Sequence, residues 1–326
     1  MRIGGAARFM TDVHSADELA QAMQNAKNQH LKTYILGGGS NSIASDSGFD
    51  GMVIHNRILG FEILQDDAFE THIKIGAGEN WDHIVQRTVE MKLSGIEALA
   101  GIPGTAGAAP VQNIGAYGQE ISETLLELEA YDSETNEIAT LANQQCGFSY
   151  RHSIFRGEAA GRYGITSITL RLFKAMPKPP FYAAVQAYLD ERGVTYYTPA
   201  EIRNAVLAIR TEKLPDPRQK PNSGSFFKNT VVEQWKLHEL LEMYPSMPYY
   251  DMGNKMYKIP TGWLIEKAGL KGKLLHGMRV HEKNALVLIN ESATSYAQLA
   301  AARKEIRVAV QELFQVIIEQ EPLEMA

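Results

Sequence analysis

The sequence predicts an α+β fold, and three observations carry the prediction. Two helix starts are marked by capping boxes, Ser15-x-x-Glu18 and Thr198-Pro199-Ala-Glu201, each followed by apolar residues at helical spacing. Short alternating apolar runs stand between them without the regular strand–helix–strand rhythm of a doubly wound sheet. The texture also changes twice, near Phe61 and at the Pro177-Lys-Pro-Pro180 cluster.

Taken in order, the first helix presents Leu19, Ala22, Met23 and Ala26 on one face. A strand at Thr33–Leu36 stops at Gly37-Gly38-Gly39-Ser40-Asn41, and a second strand spans Gly51–His55. From Phe61, the runs Phe61–Leu64, Thr71–Ile75, Leu125–Tyr131 and Thr166–Phe173 predict strands, and Trp81–Met91 predicts an amphipathic helix. The helix after Thr198 has proline at its first position, turns Ile202, Ala205, Val206 and Ile209 inward, and stops before Pro215. Residues 211–320 are expected to hold two helices and several strands. The last helix runs from near Ser295 to Phe314, with Leu299, Ala302, Ile306, Ala309 and Leu313 inward. A terminal strand is expected at Val316–Ile318. No internal repeat or low-complexity tract is visible.

The 326 residues suggest two or three domains at roughly 100–200 residues each. A chain that is 44% hydrophobic and 21% charged can bury a sizeable core. Lys plus Arg is 32 and Asp plus Glu is 38, a net charge of -6. That balance argues against a nucleic-acid binder, which needs clustered positive charge, and against a polybasic membrane-surface protein. One cysteine, Cys146, permits no intrachain disulfide and no cysteine metal cage, and suits a reducing, cytoplasmic home. The first residues hold no apolar run, so no secretory signal is expected. The longest uncharged stretch, Ala98 to Gln119, is too rich in glycine, proline and amides to be a spanning helix.

Two glycine loops stand out. Consecutive glycines at Gly37–Gly39 let backbone N–H groups approach an anion, and Ser40 and Asn41 add side-chain donors, which suits a diphosphate. A plain turn is the alternative. The loop is neither G-x-G-x-x-G nor a Walker loop. The second, Gly101 to Gly118, packs five glycines and two prolines into 18 uncharged residues. A loop of this length needs a reason to be ordered. A flat ligand supplies one, read by Gln112, Asn113 and backbone groups. A flexible lid or linker is the alternative, and it would waste Ile102, Val111 and Ile114.

Polar residues gather at three further places. Tyr150-Arg151-His-Ser-Ile-Phe-Arg156 sets two arginines among aromatics, where guanidinium needs an anion or an ion-pair partner. Gly224-Ser225-Phe-Phe-Lys228-Asn229 puts a hydroxyl beside an apolar pair, placed to deliver a proton, although a turn or cap role is commoner for serine. Glu321 follows the expected terminal strand, where a solvated end is the default. His276 and His281 have no third ligand at metal spacing, so no metal site is expected. No G-x-S-x-G elbow is present.

At these residues the chain resembles the UDP-N-acetylenolpyruvoylglucosamine reductase (UDP-N-acetylmuramate dehydrogenase) family. The resemblance covers essentially the whole chain. Its anchors are Gly37–Asn41, Gly101-Ile-Pro-Gly104 through Gly118, Tyr150-Arg151-His-Ser153, Lys213-Leu-Pro215, Gly224-Ser225-Phe-Phe-Lys228-Asn229, Gly262-Trp263-Leu-Ile-Glu266 and Ala285 to Asn290. It implies a two-lobed FAD-binding domain of the vanillyl-alcohol-oxidase type, residues 1–60 and 61–210. A C-terminal α+β substrate-binding domain would span 211–314, with 315–326 returning to the active site.

The resemblance further implies that Gly37, Gly38, Gly39, Ser40, Asn41 and Ser42 hold the diphosphate of FAD. Gly104, Thr105, Gln112, Asn113, Gly115, Ala116, Tyr117, Gly118 and Arg210 complete the cofactor site. Neither glycine loop contains a histidine, so FAD is expected to be non-covalent. In the implied reaction NADPH reduces FAD, and hydride then passes to the β-carbon of the enolpyruvyl group of UDP-N-acetylglucosamine enolpyruvate. Ser225 would protonate the α-carbon, while Arg151 and Glu321 flank the substrate carboxylate. Lys213, Asn229 and Asn284 would contact the sugar nucleotide, and Tyr182 resembles the tyrosine of a substrate-covering loop in the longer subtype. Asn284 stands where glutamine is usual, and Thr230 where proline is common. A monomer is expected. The competing readings are another FAD oxidoreductase of the same fold, such as a sugar or alcohol oxidase, and a non-catalytic nucleotide-sugar binding protein. The latter predicts loss of Ser225, Arg151 or Glu321, and all three are present.

Overall fold

The computed structural model describes Met1–Met325, leaving Ala326 of the expected 315–326 segment outside the described residues. The chain divides into two compact units. One comprises Ala7–Ser40 and Asp50–Glu212; the other comprises Met1–Ala6, Asn41–Phe49 and the chain from Lys213 onward.

The larger unit is built on a five-stranded antiparallel sheet. Its order is Glu137–Ala142, Leu125–Asp132, Tyr163–Phe173, Glu70–Gly76, Phe61–Asp66. The central strand is buried along most of its length, as expected of a strand covered on both faces. On one side lies helix Ala16–Asn28, which touches the sheet so closely that a Cβ at Gly164 would meet Met23 Sδ at 2.8 Å. Its start is capped as expected: Ser15 Oγ accepts from Glu18 N–H at 3.1 Å, while the Glu18 carboxylate reaches back past the cap to accept from His14 N–H at 2.7 Å. Trp81, Ile84 and Val85 of helix Trp81–Glu90 join the main core, which also takes Ile202, Ala205, Val206 and Ile209 of helix Pro199–Lys213. A smaller sheet, ordered Ala7–Val13, Phe49–Asn56, Lys32–Leu36, runs the last two strands parallel, with Lys32 opposite Gly51.

The other unit has its own core around Phe226, Phe227, Leu264, Ile265, Ile306, Val310 and Phe314. Two three-stranded sheets and helices Gln234–Met243, Thr261–Lys267 and Tyr296–Phe314 enclose it. Ser42–Ala44 pairs in parallel with Leu323–Met325.

Several elements depart from expectation. Residues 41–49, like residues 1–6, belong with the C-terminal part of the chain, and the remaining stretches up to residue 210 form one unit. The physical reason for the first is the parallel pairing of Ser42–Ala44, a partner hundreds of residues away. Helix Ala183–Glu191 and strands Ala7–Val13 and Glu137–Ala142 were not expected. Three helices, not two, lie beyond residue 213. Val316–Ile318 is not part of a strand; the terminal strand is Leu323–Met325. In the last helix Leu313 is exposed, and Val310 and Phe314 continue the buried row from Ile306.

Candidate active site

The Lys32–Leu36 strand delivers the first glycine loop onto the second. A Cβ at Gly37 would lie 2.4 Å from Thr105 Oγ1, and one at Gly38 would lie 3.1 Å from Gly104 Cα. Only bare backbone permits this approach. Ser40 Oγ donates to Pro103 O at 3.2 Å across the same seam.

The second loop is ordered throughout, with 3₁₀ turns at Ala106–Ala108 and Pro110–Gln112 and a small hairpin pairing Gly115–Ala116 with Gln119–Glu120. Gly104 O accepts from Trp81 N–H at 3.1 Å, and Gly107 N–H donates to Ala77 O at 2.8 Å. The turn at Gly101 is held from both sides. Its N–H donates to Asp82 Oδ1 at 2.7 Å, and its carbonyl accepts from Arg210 Nη2 at 2.8 Å. Asp82 in turn pairs with Arg203 at 3.3 Å. Burial disfavours the charged form of Arg210, with Tyr117 and Asp82 pulling the other way. Tyr117, at φ +48, meets Tyr182 edge-on with ring centres 5.7 Å apart. Burial raises the Tyr117 phenol, with Arg210 opposing.

Asn113 is 1% exposed and left-handed at φ 47. Its Nδ2 donates to Glu120 Oε2 at 2.8 Å and to Ser149 O at 3.1 Å, and its Oδ1 accepts from Ser122 N–H at 3.2 Å. The Tyr150–Arg156 stretch staples the loop from outside. Arg151 donates to Gly115 O at 2.5 Å and Asn113 O at 3.4 Å, Ser153 Oγ to Val111 O at 2.6 Å, and Arg156 to Gln112 Oε1 at 3.0 Å. Two backbone carbonyl oxygens are thus among the partners of Arg151. Tyr182 is 42% exposed and stands at the N-cap position of helix Ala183–Glu191, at the end of the loop that follows strand Tyr163–Phe173.

In the other unit, Ser225 and Glu321 come together. Ser225 forms an isolated bridge with Val287, and Phe227 forms one with Gln320. Phe226 N–H donates to Leu286 O at 2.7 Å, while Phe226 O accepts from Glu321 N–H at 2.9 Å. Both phenylalanines are fully buried and fix this segment. Asn41 Nδ2 donates to Glu321 O at 3.4 Å, and Leu323 N–H donates to Asn41 O at 2.9 Å. Asn284 Oδ1 accepts from Leu286 N–H at 3.1 Å, so its amide shapes the turn that carries Ser225's partner strand. Asn229 Oδ1 accepts from Thr261 N–H at 3.1 Å. Lys213 is the exposed last residue of its helix.

Sequence reasoning missed Asp82, Glu120 and Arg203, which brace the second loop. Asp82 was legible as an acidic residue in a helix's first turn, where a backbone role is the usual reading. Glu120 and Arg203 carried no local signal. Among the described residues no group of three His, Cys, Asp or Glu could hold a metal ion, and no helix is long and apolar enough to cross a membrane.

Residues 8–141 match the FAD binding domain family, and residues 216–324 match the C-terminal domain of UDP-N-acetylenolpyruvoylglucosamine reductase. A UDP-N-acetylenolpyruvoylglucosamine reductase of Flavobacterium johnsoniae is 39% identical over 310 residues, covering 95% of this chain and 91% of the relative. One from Ralstonia nicotianae is 39% identical over 326 residues, covering 99% and 95%. The crystal structure of the reductase from Thermus caldophilus has the same fold, at a TM-score of 0.66 and 21% identity, covering 97% of this chain and 92% of that one. The chain is therefore a flavin oxidoreductase with an FAD-binding domain and a C-terminal α+β domain. The chain belongs to the UDP-N-acetylenolpyruvoylglucosamine reductase family.

Proposed function

We propose that this chain reduces UDP-N-acetylglucosamine enolpyruvate to UDP-N-acetylmuramate for peptidoglycan synthesis, with FAD as cofactor and NADPH as reductant. Support comes from relatives that share 39% of residues along nearly the full length and are named for this reduction. The single observation that carries the mechanistic reading is the hydrogen bond that ties Glu321 to the residue after Ser225.

The residues fit the cofactor. Gly37, Gly38 and Gly39 offer backbone without side-chain bulk, Ser40, Asn41 and Ser42 add donors, and together they would hold the diphosphate. Gly104, Thr105, Gln112, Asn113 and Gly115 to Gly118, with Arg210 behind the Gly101 turn, would line the ring system. Bound FAD would supply the hydride that the β-carbon receives.

The chain's own residues do the rest. The Ser225 hydroxyl gives its proton to the α-carbon, and a proton from solvent restores it. Arg151 places positive charge at the substrate carboxylate as electron density grows there. Glu321 flanks the same carboxylate from its pinned backbone. Lys213, Asn229 and Asn284 bind the sugar nucleotide, and Tyr182 covers it. One cysteine supports a cytoplasmic home, and we take the enzyme to act as a monomer, without nucleic-acid or membrane partners. The test is Ser225→Ala. Bleaching of bound flavin by NADPH should continue unchanged, while anaerobic reoxidation by the enolpyruvyl nucleotide sugar should fall by roughly two to four orders of magnitude. Reoxidation at the wild-type rate would remove Ser225 from the reaction.

A further inference from the structure

Gln320 and Glu324, on either side of Glu321, converge on one cation, as does Tyr296. Arg303, on helix Tyr296–Phe314, donates from Nη1 to Gln320 Oε1 at 2.6 Å. The same guanidinium bonds the Glu324 carboxylate, and its Nη2 lies 3.4 Å from the Tyr296 hydroxyl. Gln320 Nε2 donates to Pro322 O at 2.8 Å and to Glu324 Oε1 at 3.3 Å. The residues before and after Glu321 are thus tied to a single side chain.

The helix that carries Arg303 is itself anchored. Asp46 accepts from Tyr296 N–H at 2.5 Å and Ala297 N–H at 3.0 Å, and Ser295 Oγ accepts from Gln298 N–H at 3.3 Å. Ala302, Ile306 and Val310 fix its inner face in the core. Arg303 therefore projects from a rigid element, and the segment it grips is an irregular stretch ending in a three-residue strand. A carboxylate on such a stretch holds catalytic geometry only if neighbouring bonds hold the backbone.

We propose that Arg303 is a positioning residue for the reduction of the enolpyruvyl substrate, setting the Glu321 carboxylate through Gln320 and Glu324. The inference rests on the reading of Glu321 given above. Arg303 touches neither substrate nor cofactor in this role. Its planar fork reaches an amide and a carboxylate at once, which a lysine ammonium does less well. Misplacing a reacting group by about 1 Å costs up to roughly a hundredfold in rate.

The experiment compares Arg303→Ala, Arg303→Lys and Glu321→Gln in the two half-reactions of the FAD-loaded full chain. Arg303→Ala should slow anaerobic reoxidation by the enolpyruvyl nucleotide sugar by about tenfold to a hundredfold, with the NADPH bleaching rate unchanged. Arg303→Lys should fall between it and the wild type, and it carries the test if the alanine variant does not fold. A general loss of stability would not separate the half-reactions, so equal slowing of both overturns the proposal. So does wild-type reoxidation in either folded Arg303 variant while Glu321→Gln is slow. Wild-type reoxidation in Glu321→Gln overturns the role of Glu321 itself.

Discussion

The backbone N–H of Glu321 donates to the carbonyl of Phe226 at 2.9 Å, and Phe226 directly follows Ser225. Two segments far apart in sequence are thereby joined. Groups sharing a hydrogen-bonded frame act non-additively. In a double-mutant cycle, Ser225→Ala and Glu321→Gln should show a coupling of about 0.5–3 kcal/mol in the activation free energy of reoxidation. Additive effects would separate the two residues functionally.

The seam between the glycine loops is equally checkable. In Gly37→Ala the new Cβ would sit 2.4 Å from Thr105 Oγ1. Overpacking of this kind costs about 1–3 kcal/mol, so urea unfolding of the FAD-free variant should shift accordingly. Adding Thr105→Ala removes the hydroxyl and should restore part of the loss. No shift in Gly37→Ala would mean that the loops do not meet as described.

Glu97 is 2% exposed, and burial raises its pKa above 4.5, opposed by hydrogen bonds that include one from Gly95 N–H at 2.5 Å. The protonated form is the one the fold prefers. Its contribution is complete below the unfolded value of 4.5 and is lost as pH rises through the folded one. Glu97→Gln lacks that loss, so its stability relative to the wild type should improve as pH rises above 4.5. Chemical unfolding at several pH values measures this. A difference that does not vary with pH would contradict it.

Cys146 is fully buried, and burial pushes its thiol from 9.0 to about 11. The thiolate is the reactive form. The native protein should therefore resist aromatic disulfide reagents at pH 8 and react stoichiometrically once unfolded. The raised thiol supports the fold below about pH 9, and that support is lost between about pH 9 and 11. Rapid labelling of the native protein would contradict this burial.

Local signals were the ones legible in the sequence. Both side-chain caps at Ser15 and Thr198, the helices at Ala16–Asn28 and Pro199–Lys213, and the alternating runs of four of the five strands of the large sheet follow from nearest-neighbour chemistry. The pairing of Ser42–Ala44 with Leu323–Met325 was hidden, because neither three-residue strand has a pattern of its own. Val316–Ile318 alternates in burial like a strand, since Ile317 is exposed between two buried neighbours, but it lacks a ladder partner. In the candidate site, glycine loops and rare dipeptides were visible as composition. The bracing roles of Asp82, Glu120 and Arg203 were not, because each residue gains its role from a partner brought close only by folding.

The decisive experiment is an anaerobic absorption spectrum of the purified FAD-loaded protein, taken alone, after NADPH, and after the enolpyruvyl nucleotide sugar. A flavin spectrum that bleaches with NADPH and returns with that substrate, yielding the lactyl ether, is the predicted result. A protein that takes up no FAD, or a bleached flavin that the substrate fails to reoxidise, would contradict the proposed reaction.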